Sequence, residues 1–334
     1  KYIPFNIASR KQIAERLMER GWEPNKFTDK GNVIVSEEIL DTIDIPEAKM
    51  FSRYFLLQKR TGMIKSWIEA CEEDGRVRGR VMTLRTVTGR MAHNSPNMAQ
   101  VPAVYSPYGK ECRSLWTVDN TDTHVLMGTD ASGLELRCLA HYMDDANFTH
   151  EVLNGDVHTA NMKAAGLTDR DQAKTFIYAF LYGAGPAKIG KVVGGSAGTG
   201  QRLITNFLSN MPKLKQLREN VVERAESKTI RALDGRLLHI RHEHAALNTL
   251  LQGAGAIICK QWLVDISSRV QKEGLDAKLV ASIHDEYQFE VCKKDVKRFG
   301  QITKDAIKET EKTLNVKCPL DCEFKIGTTW SETH

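Results

Sequence analysis

The sequence has no apolar run approaching the roughly 18 consecutive residues that a membrane-spanning helix needs. Its first residues also lack the charged start and apolar stretch of a secretion signal. A soluble protein of the cell interior with no membrane partner is therefore expected. Cysteine is sparse: seven residues, an odd number, scatter from Cys71 to Cys322, which excludes a disulfide framework. Cys318 and Cys322 lie nearest each other, but with no second pair and no His at zinc-site spacing beside them the preferred reading is buried reduced thiols. Charge of one sign is lacking too. Forty-seven Lys and Arg against 42 Asp and Glu leave a formal charge of +5, which suits a polyanionic partner without demanding one. The chain opens at Lys1 instead of an initiator Met, so a fragment or processed product is expected, whereas Trp330 to His334 reads as a native end.

What is present is enough for a substantial core. With 334 residues, 41% of them hydrophobic, the chain is expected to fold as more than one lobe. Residues 1–72 read as a polar helical arm, with Ser9 as a candidate cap before a helix to Arg20 and a long helix from Pro46 to about Glu72. From Gly75 to Pro107 turns and basic residues dominate. Val125 to Thr129 is a short apolar run ending at Asp130, and Leu134 to Met143 continues with helical spacing, so a strand hands over to a helix there. Four or five helical segments are expected between Phe148 and Ala225, broken by Gly183-Ala184-Gly185 and by the glycine-rich stretch Gly194 to Gly200. Arg231 to Ile240 reads as a hairpin around Asp234-Gly235, and His244 to Lys272 as one long helix. Leu279 to Ile283, the polar His284-Asp285-Glu286 and the alternation through Phe289 and Val291 then predict a hairpin with charge at its turn.

Two features point to chemistry. Asp130 and Asp285 are carboxylates at strand ends, each embedded in apolar sequence. Hard divalent ions take oxygen ligands and keep waters and substrate phosphates in their shell, so one or two carboxylates suffice to hold them. Two such ions can serve an in-line displacement at phosphorus; the plain alternative is a pair of turn aspartates. The second feature is the stretch from Thr168 to Tyr178, which opens with a capping residue and continues with helix formers. It places Arg170, Lys174 and Tyr178 on one face, a row about 12 Å long, the length of a triphosphate with its nucleoside. Arg offers a planar fork, Lys a compact charge and Tyr a flat ring. A solvated basic face with a core aromatic is the alternative. His158 could add a donor, or be structural.

These residues fall into a known order. Asp130-Ala131-Ser132-Gly133-Leu134-Glu135-Leu136-Arg137, the helix from Arg170 to Gly185, and His284-Asp285-Glu286 resemble motifs A, B and C of family A DNA polymerases. The resemblance extends through Thr88-Gly89-Arg90, Pro96-Asn97-Met98-Ala99-Gln100-Val101-Pro102 and Ala245 to Gly255, nearly the whole chain. Gly133, where bacterial members have Gln, resembles the replicative branch of T-odd, podovirus-type phages.

The resemblance implies an α+β right-hand fold. Its parts would be a partial helical thumb at 1–72, an antiparallel palm sheet from 73–143 and 248–334, and helical fingers at 144–247. It implies template-directed addition of dNTP to a primer, with the host cytoplasm as compartment. Asp130, Asp285 and the carbonyl of Ala131 would ligate two Mg²⁺ ions, Mn²⁺ being able to substitute. His158, Arg170 and Lys174 would hold the triphosphate, Lys174 would serve the leaving pyrophosphate, and Tyr178 would stack near the sugar. Glu135 would exclude a ribose 2′-hydroxyl. Arg90, Asn97, Gln100, Asn248, Gln252 and His284 would contact primer-template DNA, largely in the minor groove. Glu286 would support the site, and Arg113 and Arg137 would meet phosphates or carboxylates.

Some family features are not expected in this chain. It has no room for the preceding exonuclease domain, and the insert by which relatives bind thioredoxin would lie upstream, leaving a processivity factor to the full-length protein. The stretch from Ser227 to Leu233 is shorter than in the phage relatives. A single-subunit RNA polymerase, an inactive DNA-binding module of the same fold and a two-metal nuclease are the rival readings. Glu135 argues against the first, the intact Asp and Arg/Lys/Tyr sets against the second, and the triphosphate-length row against the third.

Overall fold

The apolar run that ends at Asp130 forms the strand His124–Ala131, the axis on which the larger part of the molecule is built. The computed structural model describes residues 4–334, so residues 1–3 of the expected arm lie outside the described residues. The chain divides into two compact units, one ending at Arg78 and the other running from Gly79 to His334.

In the first unit, Ser9 caps the helix Arg10–Glu19, its hydroxyl accepting the Gln12 backbone N–H at 3.4 Å. Ile13, Ala14 and Leu17 recur at helical spacing and pack with Val35, Leu40, Ile43, Ala48 and Phe55 into a small core. Pro46, free of any need to donate in the first turn, starts the helix Pro46–Glu69.

The second unit carries a four-stranded sheet in the order Ala277–Ile283, Glu286–Cys292, His124–Ala131, Cys322–Gly327, with antiparallel neighbours throughout. One face lies against the helices Ala246–Glu273 and Val296–Thr313. Tyr287 donates to the Cys259 carbonyl at 2.7 Å, Trp262 donates through Nε1 to the Thr303 carbonyl at 2.9 Å, and the Phe289 and Phe299 rings meet at 4.8 Å. The other face of Glu286–Cys292 is buried as well, and there it is polar. Thr333 donates to Gln288 Oε1 at 2.7 Å, Trp330 donates through Nε1 to Glu286 Oε1 at 2.6 Å, and the Asp119 amide donates to Glu290 Oε1 at 3.3 Å. The segment 330–334 therefore lies on the sheet, and Gly128 makes room for it, because a Cβ there would strike the Thr333 carbonyl. The sequence reading gave this segment no structural role, and it did not resolve the helix Val296–Thr313 or the outer strand Cys322–Gly327.

The helical block holds six helices among the described residues, not four or five: Ala146–Asn154, Val157–Ala165, Arg170–Leu181, Pro186–Val192, Ala197–Asn210 and Pro212–Ala225. The glycine-rich stretch misled the count, since Gly198 and Gly200 lie inside a helix instead of ending one. Gly200 is there for packing: an added Cβ would overlap the Pro186 carbonyl and stand 2.6 Å from the Gly190 nitrogen. Phe176, Phe180 and Phe207 meet edge to face at 5.2 and 5.4 Å, an arrangement that adds about 0.5–1.5 kcal/mol per pair beyond area burial. It clamps the buried side of Arg170–Leu181. The cysteines are free, and five of the seven, including Cys318 and Cys322, are buried. Among the described residues no helix is long and apolar enough to cross a membrane.

Gly200→Ala is expected to destabilise the second unit by about 1–3 kcal/mol, the usual cost of overpacking a filled contact. Denaturant unfolding reads it as a lower midpoint; an unchanged midpoint would mean that the two helices part without cost.

Candidate active site

Register brings the two strand-end carboxylates together. His124–Ala131 pairs with Glu286–Cys292 so that Asp130 faces Glu286, and the Ala131 amide donates to the Asp285 carbonyl at 3.1 Å. His284 and Asp285 make the two-residue turn between Ala277–Ile283 and Glu286–Cys292. His284 sits in the left-handed region at φ 58°, which for a non-Gly residue costs about 1 kcal/mol. Ala131 is buried with its amide committed to Asp285.

The electrostatics follow from this crowding. Asp130 is reachable by solvent but sits low among protein atoms. Desolvation first, then Asp285 and Glu286, push its carboxyl up to about 7. Glu286 behaves oppositely. Burial works to raise its pKa, but hydrogen bonds from His334, Gln288 and Trp330, each at 2.6 Å, more than offset this and hold it below the ordinary range. Arg113, buried over the Trp330 ring, lies 3.9 Å from the same carboxylate. Glu286 is thus saturated by the protein. Asp130 and Asp285 remain as the pair able to take a hard cation.

The helix Arg170–Leu181 is capped by Asp169, which accepts the Gln172 amide at 2.8 Å. Arg170 and Lys174 are exposed on it and Tyr178 is half-buried. Burial, then Glu135 and Asp285, raise the Tyr178 hydroxyl, so the aromatic end of the row is the end nearest the carboxylates. At the other end Arg170 is engaged. Its Nε and Nη2 bind both oxygens of Asp156, at 2.7 and 3.1 Å. Asp156 also caps the helix Val157–Ala165, accepting the amides of His158 and Thr159. That places the His158 ring 6.3 Å from Tyr178. Desolvation, Arg170 and Lys174 all lower the His158 pKa, so the imidazole is readily neutral.

Glu135 lies in the first turn of Leu134–Met143, where Tyr182 donates to it at 2.7 Å and Arg90 approaches to 3.7 Å. Burial followed by this hydrogen bond lifts the Tyr182 hydroxyl to about 12. Arg90 also helps, after desolvation, to depress His284, which ties Arg90, Glu135 and His284 to one neighbourhood. Asn248 and Gln252 are half-buried on a shared face of Ala246–Glu273, one turn apart. Asn97 is committed locally, accepting the Ala99 amide at 3.1 Å, while Gln100 is exposed. Arg137 donates to the Ser132 carbonyl at 2.6 Å and to the Pro319 carbonyl, so it serves backbone here. Sequence reasoning missed Tyr182 and Asp156. Tyr182 stands four residues after Tyr178 on the same face, a signal that was available; no spacing rule links Asp156 to Arg170.

The family model described as DNA polymerase family A matches residues 2–332. The DNA-directed DNA polymerases of Enterobacteria phage T3 and Escherichia phage T7 are 41% and 40% identical over all of this chain, which spans 53% of each of them. DNA polymerase I of Geobacillus stearothermophilus is 25% identical over 98% of this chain and 40% of its own. The chain therefore spans about half the length of the curated phage relatives it matches. Among solved structures, the polymerase domain of Pol1 from M. smegmatis in complex with DNA primer-template and dNTP superposes with a TM-score of 0.89 at 20% identity, over 98% of this chain and 62% of that one. The α+β fold is thus that of the right-hand polymerases.

The Asp130 shift has a sign that can be measured. Between the ordinary Asp range and about pH 7, the cation-free folded chain keeps a proton that the unfolded chain has released, so this group's contribution to stability is lost as pH rises through that window. In EDTA, Asp130→Asn is expected to flatten the fall in unfolding midpoint between pH 5 and pH 7.5. Parallel curves for parent and variant would show that Asp130 titrates normally.

Proposed function

We propose, starting from a chain that belongs to DNA polymerase family A, that it transfers nucleotides from dNTPs to a DNA primer 3′-hydroxyl under template direction, releasing pyrophosphate. The observation that carries this is the meeting of Asp130 and Asp285 at one end of the sheet, with Tyr178 and its basic helix beside them. The donor set fits a hard cation, because desolvation first, and then the neighbouring carboxylates Asp285 and Glu286, hold Asp130 partly protonated, and a cation would replace that proton. Two Mg²⁺ ions, for which Mn²⁺ could stand in, held by Asp130, Asp285 and the Ala131 carbonyl, would activate the primer hydroxyl and stabilise the leaving oxygen.

The chain's own residues supply the rest. Arg170 trades its Asp156 partner for triphosphate oxygens, a like-for-like exchange of bidentate acceptors. Lys174, one turn further along, places its charge where the pyrophosphate leaves, and neutral His158 adds a donor. Tyr178 lies against the sugar. Glu135, held by Tyr182 at 2.7 Å, fills the space of a 2′-hydroxyl, which selects deoxynucleotides and disfavours the RNA polymerase reading. Arg90, Asn97, Gln100, Asn248, Gln252 and His284 track primer and template. Residues 1–72 act as the thumb, 73–143 and 248–334 as the palm, and 144–247 as fingers whose closure makes correct pairing a condition of chemistry. The break between compact units after Arg78 supports a thumb ending near there. The host cytoplasm, and a processivity factor acting on the full-length protein, belong to the same proposal.

Primer extension on a primed template tests the reading. Asp285→Ala is expected to abolish extension while leaving DNA binding nearly intact, and Lys174→Ala to lower kcat by about 10²–10³-fold; extension at the parent rate by the Asp285 variant would refute the carboxylate assignment. Glu135→Ala is expected to raise incorporation of rNTP relative to dNTP, with Tyr182→Phe moving the ratio the same way by less. A ratio unmoved in both would remove Glu135 from sugar selection. Degradation of DNA by the chain in Mg²⁺ without nucleotides would favour a nuclease instead.

A further inference from the structure

At the end of the sheet remote from Asp130, three side chains of different chemistry meet. His124 opens the strand His124–Ala131, Cys292 closes Glu286–Cys292, and the two are register partners. The Lys293 amide donates to the Thr123 carbonyl at 3.0 Å, so the preceding pair is the hydrogen-bonded one. His124 and Cys292 then form the narrow, non-hydrogen-bonded pair in which facing side chains come closest. Asp276 immediately precedes the edge strand Ala277–Ile283, and its carbonyl accepts the Cys292 amide at 2.9 Å. Its Oδ2 lies 3.1 Å from His124 Nε2. The donor atoms of His124, Asp276 and Cys292 all lie within 4.8 Å of one another, and each residue is half-buried. Among the described residues no other three His, Cys, Asp or Glu donors gather so closely.

The surroundings suit a ligand set. Thr123 Oγ1 holds His124 Nδ1 at 2.9 Å, the kind of outer hydrogen bond that fixes the ring and leaves Nε2 facing inward. Lys278 stands 3.6 Å from the other Asp276 oxygen, Oδ1, which leaves Oδ2 for the cluster. Thiolate, imidazole and carboxylate together select a borderline cation such as Zn²⁺; Mg²⁺ prefers an all-oxygen shell. Donors around a tetrahedral Zn²⁺ stand about 3.3–3.8 Å apart at its usual bond lengths. His124 Nε2 and Asp276 Oδ2 already stand 3.1 Å apart, so the approach still needed, about 1 Å from separations within 4.8 Å, is that of Cys292 Sγ toward the pair.

We propose that His124, Asp276 and Cys292 form a binding site for one Zn²⁺-class cation, with water as the fourth ligand, separate from the Asp130 and Asp285 pair. Six residues of strand, about 20 Å at 3.4 Å per residue, separate the two places. Binding converts the Cys292 thiol to a thiolate and releases its proton to solvent. The bound cation ties the central strand, its neighbour and the start of the edge strand, so it acts as a clasp on the sheet instead of on the reacting groups.

Co²⁺ titration of the whole chain in excess Mg²⁺, which occupies the oxygen-donor pair, tests this without any nucleotide chemistry. One equivalent of Co²⁺ is expected to raise a near-ultraviolet thiolate-to-cobalt charge-transfer band that equimolar Zn²⁺ bleaches. Cys292→Ser should lose the band and weaken cation binding at least about tenfold, and Cys71→Ser, at the exposed cysteine, should keep both. Asp276→Asn, which retains a partner for His124, should weaken binding similarly and carries the test if the Cys292 variant fails to fold. Absence of a band in the parent chain, its survival in Cys292→Ser, or its loss in Cys71→Ser would each overturn the proposal.

Discussion

The pairing of His124–Ala131 with Glu286–Cys292 is the constraint on which the site depends, and its anchor is the hydrogen bond from the Ala131 amide to the Asp285 carbonyl. A shift of one residue in either strand would turn Asp130 toward the helices and Tyr287 toward the polar face, because side chains alternate with a period of two. Three independent contacts oppose such a slip. Tyr287 is fixed to Cys259, Gly128 is the position that can lie under Thr333, and Glu286 is held by Trp330 and His334. Each requires the same register.

That register also creates the electrostatic problem the site turns to use. Asp130, Asp285 and Glu286 gather at one end of the sheet, and a bare group of this kind would oppose folding once ionised. The protein neutralises one of the three with its own donors, since Glu286 takes three short hydrogen bonds and the nearby Arg113. Nothing comparable is supplied to Asp130, whose carboxyl stays partly protonated near neutrality. The division of labour is physical: the saturated carboxylate stiffens the support, while Asp130 keeps the proton that a cation would displace under the proposed function. On the facing helix the same logic appears with opposite sign, Arg170 being parked on Asp156 while Lys174 stands exposed.

Sequence patterns picked out the candidate residues more readily than the contacts that support them. Asp130 stood out because a short apolar run stopped there, and the Arg170, Lys174 and Tyr178 row because four-residue spacing survives any error in helix boundaries. The helix count failed because glycine was read as a breaker, whereas Gly200 marks close contact between helices. The helix Val296–Thr313 buries Phe299, Ile302, Ala306 and Ile307, a helical spacing that was visible but went unused beside the hairpin before it. Asp156 and the 330–334 segment were beyond reach for a different reason. Their roles arise from side-chain pairing, 14 residues apart for Asp156 and Arg170 and 44 for Glu286 and Trp330, and neither composition nor periodicity encodes which partner a polar residue will meet.

The polar face of the sheet follows from the same register. Glu286, Gln288 and Glu290 run along it under the 330–334 segment and residues near Asp119, so the protein's own groups cover the middle of the face. At one end the donors are oxygens alone, and at the other they are imidazole, carboxylate and thiol. Hard and borderline cations sort by donor type more sharply than by charge, so under the two proposals one strand pair offers places for different ions. The buried polar file between them keeps each of its members hydrogen-bonded, which is what permits polar side chains along a covered face.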